Sequence, residues 1–277
     1  MQFHHFQIPG LNRAVHGECR APDQTDGLPA VLMIADILLS RGHGFYPYLA
    51  ESLAASRLVY SYDASSSGYA PGRQGIGGGL AADYRLGSEL EDLSLLVAAL
   101  CESRLGCARR WDGRSLCLVG HGKGAALALH LERRLRERPG RLDVTLVLLS
   151  PPSTLVREGW NASRAGPVRV PGDEEPAIEL GPGFLGDARE LEQQESLLEL
   201  MATTDAAVLL IAGEEDRLFP VREAELLAQA AARPEVRLVV VEKAGHKFGV
   251  SHPFGGPTPA LVYVCDVVDR FLERVTA

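Results

Sequence analysis

Gly120-His121-Gly122-Lys123-Gly124 follows directly on the apolar run Ser115-Leu116-Cys117-Leu118-Val119. Glycines on either side of a central residue allow a sharp strand-to-helix turn that presents that residue in a strained backbone conformation. A Gly-x-Ser-x-Gly segment exposes its serine nucleophile in this way. The spacing predicts such an elbow here, with Gly122 at the nucleophile position and no hydroxyl to attack with. Serine-based acyl transfer would lack its reacting atom, while the backbone N–H of Lys123, at the start of the following helix, stays available to an oxyanion.

The elements that must position this turn are legible as apolar strand-like runs alternating with amphipathic helical ones, the pattern of a mostly parallel sheet covered on both faces. Residues 2–8 and 12–19 read as an opening hairpin across Pro9-Gly10. Buried strands follow at Ala30 to Ile34, Leu58 to Tyr62, Leu116 to Val119, Val144 to Leu149, Ala207 to Ile211 and Val236 to Val241. Helices are expected near 45–55, 83–104, 123–137, 221–232 and 259–274. The length of 277 residues suits one domain. Residues 151–203, rich in Gly, Pro and acids, are too long for a plain connection and read as a lid or cap insertion. Within it, a short hairpin is expected around Gly172-Asp173 and a helix from Asp187 to Met201. The glycine- and serine-rich stretch from Ser65 to Gly79 reads as a loop bordering a site at the strand ends.

Two further segments give the chain its family resemblance. Leu209-Leu210-Ile211-Ala212-Gly213-Glu214-Glu215-Asp216 and Val239-Val240-Val241-Glu242-Lys243-Ala244-Gly245-His246 each run just past a strand. In the order elbow, acid, histidine, the chain resembles an α/β-hydrolase over roughly residues 25–277. The resemblance implies the α/β-hydrolase fold, with Asp216 as the acid and His246 as the base. A carboxylate beside the imidazole fixes its tautomer and stabilises the imidazolium formed when the ring takes a proton. Members of the family usually carry His-Gly-x after the first buried strand, with x donating a backbone N–H to the oxyanion. Here that segment is Ala35-Asp36-Ile37, which makes Ile37 the implied donor and places a carboxylate beside it. An ionised Asp36 about 4 Å from an oxyanion would repel it by roughly 4 kcal/mol at an effective dielectric near 20. That could cancel the roughly 3 to 4 kcal/mol typical of one oxyanion donor. Two orientations of Asp36 stay open: into the site, or outward as a cap on local amides.

Other residues near these segments are weaker candidates. His121 should face the core side of the turn, and the Lys123 ammonium should reach solvent. Ser150 and Ser40 are conceivable rim hydroxyls but read better as ordinary hydrogen-bonded serines, and Tyr60, Tyr62 and Asp63 read as a structural strand end. The tail Lys247 to Pro257 should fold over the site mouth, with His252 solvated and Phe248 and Phe254 either lining a pocket or packing the last helix. Gly75-Ile76-Gly77-Gly78-Gly79 follows no strand and makes a poor dinucleotide fingerprint, so no cofactor is implied. Five cysteines form no metal-ligand or disulfide pattern, read as buried free thiols, and imply no metal. With 28 basic against 36 acidic residues, net −8, nucleic acid and an anionic membrane surface are unlikely partners. Without a leader-like N-terminus or a long apolar run, a soluble cytoplasmic protein is expected. Oligomeric state stays open.

Three readings follow. In the first, His246 and Asp216 move a proton on a small acyl, ester or carbonyl substrate without an acyl-enzyme, with Asp36 as acid, base or substitute nucleophile. In the second, the chain is a pseudohydrolase that binds or scaffolds. In the third, it is a serine-to-glycine variant of an esterase or thioesterase; the altered Asp36 argues against that.

Overall fold

The computed structural model describes residues 1–23, 25–37, 39–66, 83–157, 168–170, 178–233 and 235–276. The expected glycine-rich loop after Ser66, the Gly75 to Gly79 stretch and the turn at Gly172-Asp173 lie outside these residues.

Strands β1 (Gln2–Pro9), β2 (Ala14–Ala21), β3 (Leu28–Ile34), β4 (Leu58–Asp63), β5 (Trp111–His121), β6 (Asp143–Leu149), β9 (Ala207–Gly213) and β10 (Val236–Val241) form one eight-stranded sheet. Its order is β1-β2-β4-β3-β5-β6-β9-β10. The first three pair antiparallel, and from β4 to β10 the neighbours are parallel. The opening hairpin has its second strand about two residues later than periodicity suggests, a shift typical of strand ends. Between β6 and β9 lie the antiparallel pair β7 (Val168–Val170) and β8 (Ile178–Leu180), followed by helices α4 (Pro182–Gln194) and α5 (Leu197–Thr203).

Alternation along the strands sorts the core onto two faces. Ala30, Leu32 and Ile34 pack with Leu90 and Leu93 of α2 (Leu86–Cys101) and Leu127 of α3 (Lys123–Arg136). Val31 and Met33 pack on the opposite face with Leu49 of α1 (Tyr46–Leu53) and Val264 and Val268 of α7 (Pro259–Thr276). The remaining helix, α6 (Val221–Ala230), places Leu227 in the first cluster. β4, covered on both faces, is buried at all six positions, Ser61 and Asp63 included.

Chain order reverses between β3 and β5. From β3 the chain steps to β4 on one side, then returns to β5 on the other. In open α/β sheets the crevice outside the carboxyl ends of the strands at such a switch is where ligands bind. Asp36 follows β3 and Gly122 follows β5, so the topology brings both to that crevice.

Cys19, Cys117 and Cys265 are buried, but Cys101 at the end of α2 is exposed and Cys107 half-buried, against the expectation of uniform burial. Among the described residues, no helix is long and apolar enough to cross a membrane.

Candidate functional site

The turn between β5 and α3 is as tight as its glycines suggest. A Cβ on Gly120 would collide with the backbone of Gly124 and Ala125, and one on Gly124 with the carbonyl of Ile34. Gly122 has φ 55° and ψ −122°, a conformation costly for residues with a side chain. The space a side chain would occupy there is filled: a Cβ on Gly122 would overlap the carboxyl carbon and both oxygens of Asp36.

Asp36 points inward. Its Oδ1 accepts from the Lys123 N–H at 2.8 Å, and its Oδ2 lies 3.0 Å from Nε2 of His246. On the other side of the imidazole, Nδ1 lies 2.9 Å from Oδ2 of Asp216. Asp216 sits just past β9, with Oδ1 accepting from the N–H groups of Leu218 and Phe219. His246 thus has a carboxylate at each ring nitrogen. All three side chains are buried or nearly so, with His246 at 1% exposure. Ile37 is also buried.

Proximity of these charges dominates their titration. Burial alone would lower the His246 imidazolium, but hydrogen bonds and charge from Asp216 and Asp36 outweigh it and raise the group to about 9. Burial would raise the Asp36 carboxyl; the hydrogen bond and charge of His246, with His121 and the Lys123 N–H, hold it well below the usual carboxylate range. Asp216 is lowered in the same way: burial opposes ionisation, and the bond to His246 overcomes it. At neutral pH the cluster is carboxylate, imidazolium, carboxylate.

His121 does face the core side of the turn. Its ring is 1% exposed, lies 4.5 Å from the His246 ring and is edged by Phe45 at 5.1 Å. Burial and the charge of His246 push it down to about 4. Asp36, His121 and His246 bring one ligand atom each within 4.8 Å of one another, the spacing of a metal cluster. A metal held there would have to break the bonds of His246 to Asp36 or Asp216, and those of His121 to Tyr46 Oη and to the His246 carbonyl.

Among the neighbours, Lys123 departs from the sequence-based expectation. The Lys123 ammonium does not reach solvent: it is buried against Glu89 of α2 at 2.8 Å, and Glu89 also accepts from the hydroxyls of Tyr62 and Tyr84. The burial of nearly the whole of α3 leaves its first turn no solvent face. Ser150 is an ordinary hydrogen-bonded serine, fully buried and donating to the His246 carbonyl at 3.2 Å. Ser40 lies in the loop after β3, and its carbonyl accepts from the His43 N–H. Tyr60 donates to the Gly106 carbonyl, and Asp63 pairs with Arg41. His252 stacks on His43 at 4.0 Å and accepts from the Gly44 N–H. Phe248 is buried against Phe45 and packs the face covered by α7, whereas Phe254 is partly exposed beside Tyr48.

Sequence reasoning passed over Tyr46 and Glu89. Glu89 carried a signal, since it falls on the apolar stripe Leu86, Leu90, Leu93, Val97 of α2. Tyr46 carried none beyond its place in a short helix.

The sequence from 37 to 256 matches the model of the alpha/beta hydrolase family, and the chain belongs to that family. No curated protein matches it significantly. Among solved structures, it is similar to a putative hydrolase from Agrobacterium vitis S4 (TM-score 0.72, 18% identity, 98% of each chain covered). It is also similar to Est1E from Butyrivibrio proteoclasticus with ferulic acid bound (TM-score 0.71, 14% identity, 98% of this chain and 99% of that one). A third is the esterase domain of a Rhodothermus marinus protein (TM-score 0.66, 17% identity, 99% of each chain). At these identities the likeness is one of fold.

Proposed function

We propose that this α/β-hydrolase acts on a small acyl, ester or carbonyl compound without forming an acyl-serine. In this reading the chain is one α/β-hydrolase domain with residues 151–203 as its lid. Gly122 is the family's nucleophile-elbow position left without a side chain, and Asp36 extends from the β3 loop into the vacated space. The observation that carries the reading is the 3.0 Å contact between Asp36 Oδ2 and His246 Nε2, made where a serine hydroxyl would meet the imidazole.

Burying three ionisable groups is costly, and apolar replacements of such clusters are often neutral or stabilising. Chemistry is therefore a better account of the cluster than stability. His246, oriented by Asp216, gives up its proton to the substrate. Asp36, ionised, accepts one from water or an acidic C–H, or attacks an electrophilic carbon, whose bond to the leaving group breaks as that group takes the His246 proton. The N–H groups of Ile37 and Lys123 serve a developing oxyanion, the latter once Asp36 Oδ1 releases it. Lyase, isomerase, cyclase and water-mediated hydrolytic reactions all use this exchange. The names of the similar structures, esterases and a ferulic acid complex, favour an ester or related acyl compound.

A second reading rests on the same carboxylate. Asp36 already holds the Lys123 N–H and His246 Nε2, so the contacts a substrate oxygen needs are taken, as suits a pseudohydrolase that binds or scaffolds. One set of assays separates the two: p-nitrophenyl acetate, p-nitrophenyl octanoate and an acyl thioester, tested on the native chain, His246→Ala, Asp36→Ala and the double variant Gly122→Ser with Asp36→Gly. The enzyme reading expects native turnover that falls by about 10²- to 10⁴-fold in His246→Ala and is lost in Asp36→Ala. An inert native chain with an active double variant would remove the hydrolytic form of the enzyme reading and favour the binding protein, and undiminished His246→Ala turnover would remove the proton-transfer mechanism.

A further inference from the structure

Asp36 and His246 lie 210 residues apart in sequence, on loops that leave different strands. A bridge of hydrogen bonds joins the backbones of those loops. The Asp36 N–H donates to Tyr46 Oη at 2.9 Å, Tyr46 Oη lies 2.8 Å from His121 Nδ1, and His121 Nε2 lies 3.0 Å from the His246 carbonyl. The proton positions follow from the acceptors. A carbonyl only accepts, so His121 carries a proton on Nε2. In a neutral ring Nδ1 is then an acceptor, so the Tyr46 hydroxyl donates to it while its lone pair takes the Asp36 N–H. A neutral His121 suits its place, buried beside the His246 cation.

We propose that Tyr46 and His121 are positioning residues that hold Asp36 and His246 at hydrogen-bond distance by tying the two loop backbones together. The inference deepens the reading of Asp36 and His246 as a proton-exchanging pair and rests on it. The charged groups around His121 are Asp36, Asp216 and His246 itself. Its other neighbours are Tyr46 and the rings of Phe45 and Phe248. Neither Tyr46 nor His121 has to touch a substrate.

Imidazole nitrogen NMR on the full ¹⁵N-histidine-labelled chain tests this. Native protein should show His121 as the single Nε2–H tautomer and His246 protonated on both nitrogens at pH 7. Tyr46→Phe keeps the ring that packs on Phe45 and removes only the oxygen. It should lower the His246 titration midpoint by one pH unit or more, roughly tenfold in proton affinity. His121→Gln, which keeps a donor for the His246 carbonyl and an acceptor for Tyr46, should stay closer to native than His121→Leu. A native Nδ1–H tautomer of His121 would overturn the proposal, as would an unchanged His246 midpoint in folded Tyr46→Phe and His121→Leu. The native tautomer can be read even where a variant does not fold. Because no turnover is measured, failure here is distinct from failure of the enzymatic reading.

Discussion

Asp36 determines what a substitution at Gly122 can do. A serine placed there would overlap the Asp36 carboxylate and would also have to adopt a sparsely populated positive-φ conformation, which costs an L residue roughly 1 to 3 kcal/mol. Gly122→Ser alone should therefore gain no esterase activity and should unfold at lower urea concentration than native. A single variant with robust p-nitrophenyl acetate hydrolysis would mean that Asp36 moves aside freely. Asp36→Asn keeps the shape but removes one of the two charges on His246, so the His246 midpoint should drop from about 9. Histidine NMR titration reads the shift directly, and an unmoved midpoint would assign the elevation to Asp216 alone. The Asp216–His246 contact is one that the family resemblance implies, since the matching acid and histidine segments each end just past a strand. The direction of Asp36 is not so implied. A lone aspartate in place of a loop glycine carries no record of where it points, and only the fit over Gly122 decides it.

At the scale of elements, strands and helices were legible wherever periodicity was strong, as in α2, α3 and α7. Residues that a helix buries against its own type were not. Lys123 opens α3, and a lysine in a first turn ordinarily finds water; here the helix enters the core at once and the ammonium meets Glu89. Removing one member of a buried pair strands the other charge, typically at about 3 to 5 kcal/mol. Lys123→Met should lose stability on that scale in urea denaturation. Lys123→Met with Glu89→Gln should recover part of it, since Tyr62 and Tyr84 retain a polar partner. Additive losses in the double variant would mean that the two side chains do not act as a pair.

Across the whole molecule, the buried histidines set opposite limits on stability. An imidazole in the unfolded chain titrates near 6.5. His246, raised to about 9, binds its proton more tightly when folded, so its contribution is complete below about pH 6.5 and is lost as pH rises through 9. His121, and His130 buried within α3, are each lowered to about 4 chiefly by burial and resist protonation in the fold; their contribution is present above pH 6.5 and is lost as pH falls toward 4. Asp36 and Asp216 are also lowered, so the stability they confer disappears only at more acid pH still, below the ordinary carboxylate range. Urea unfolding free energy should therefore peak close to pH 6.5. The decline toward pH 9 should reach roughly 3 kcal/mol, the equivalent of moving one group from 6.5 to about 9. His246→Gln should flatten the alkaline side and also soften the acid side, because His121, Asp36 and Asp216 lose the charge that lowers them, while His121→Gln should act mainly on the acid side. Stability unchanged between pH 6.5 and 9 in the native chain would mean that His246 is not held as a cation between its two carboxylates. The proton donor assigned to the site would then be missing from the resting protein.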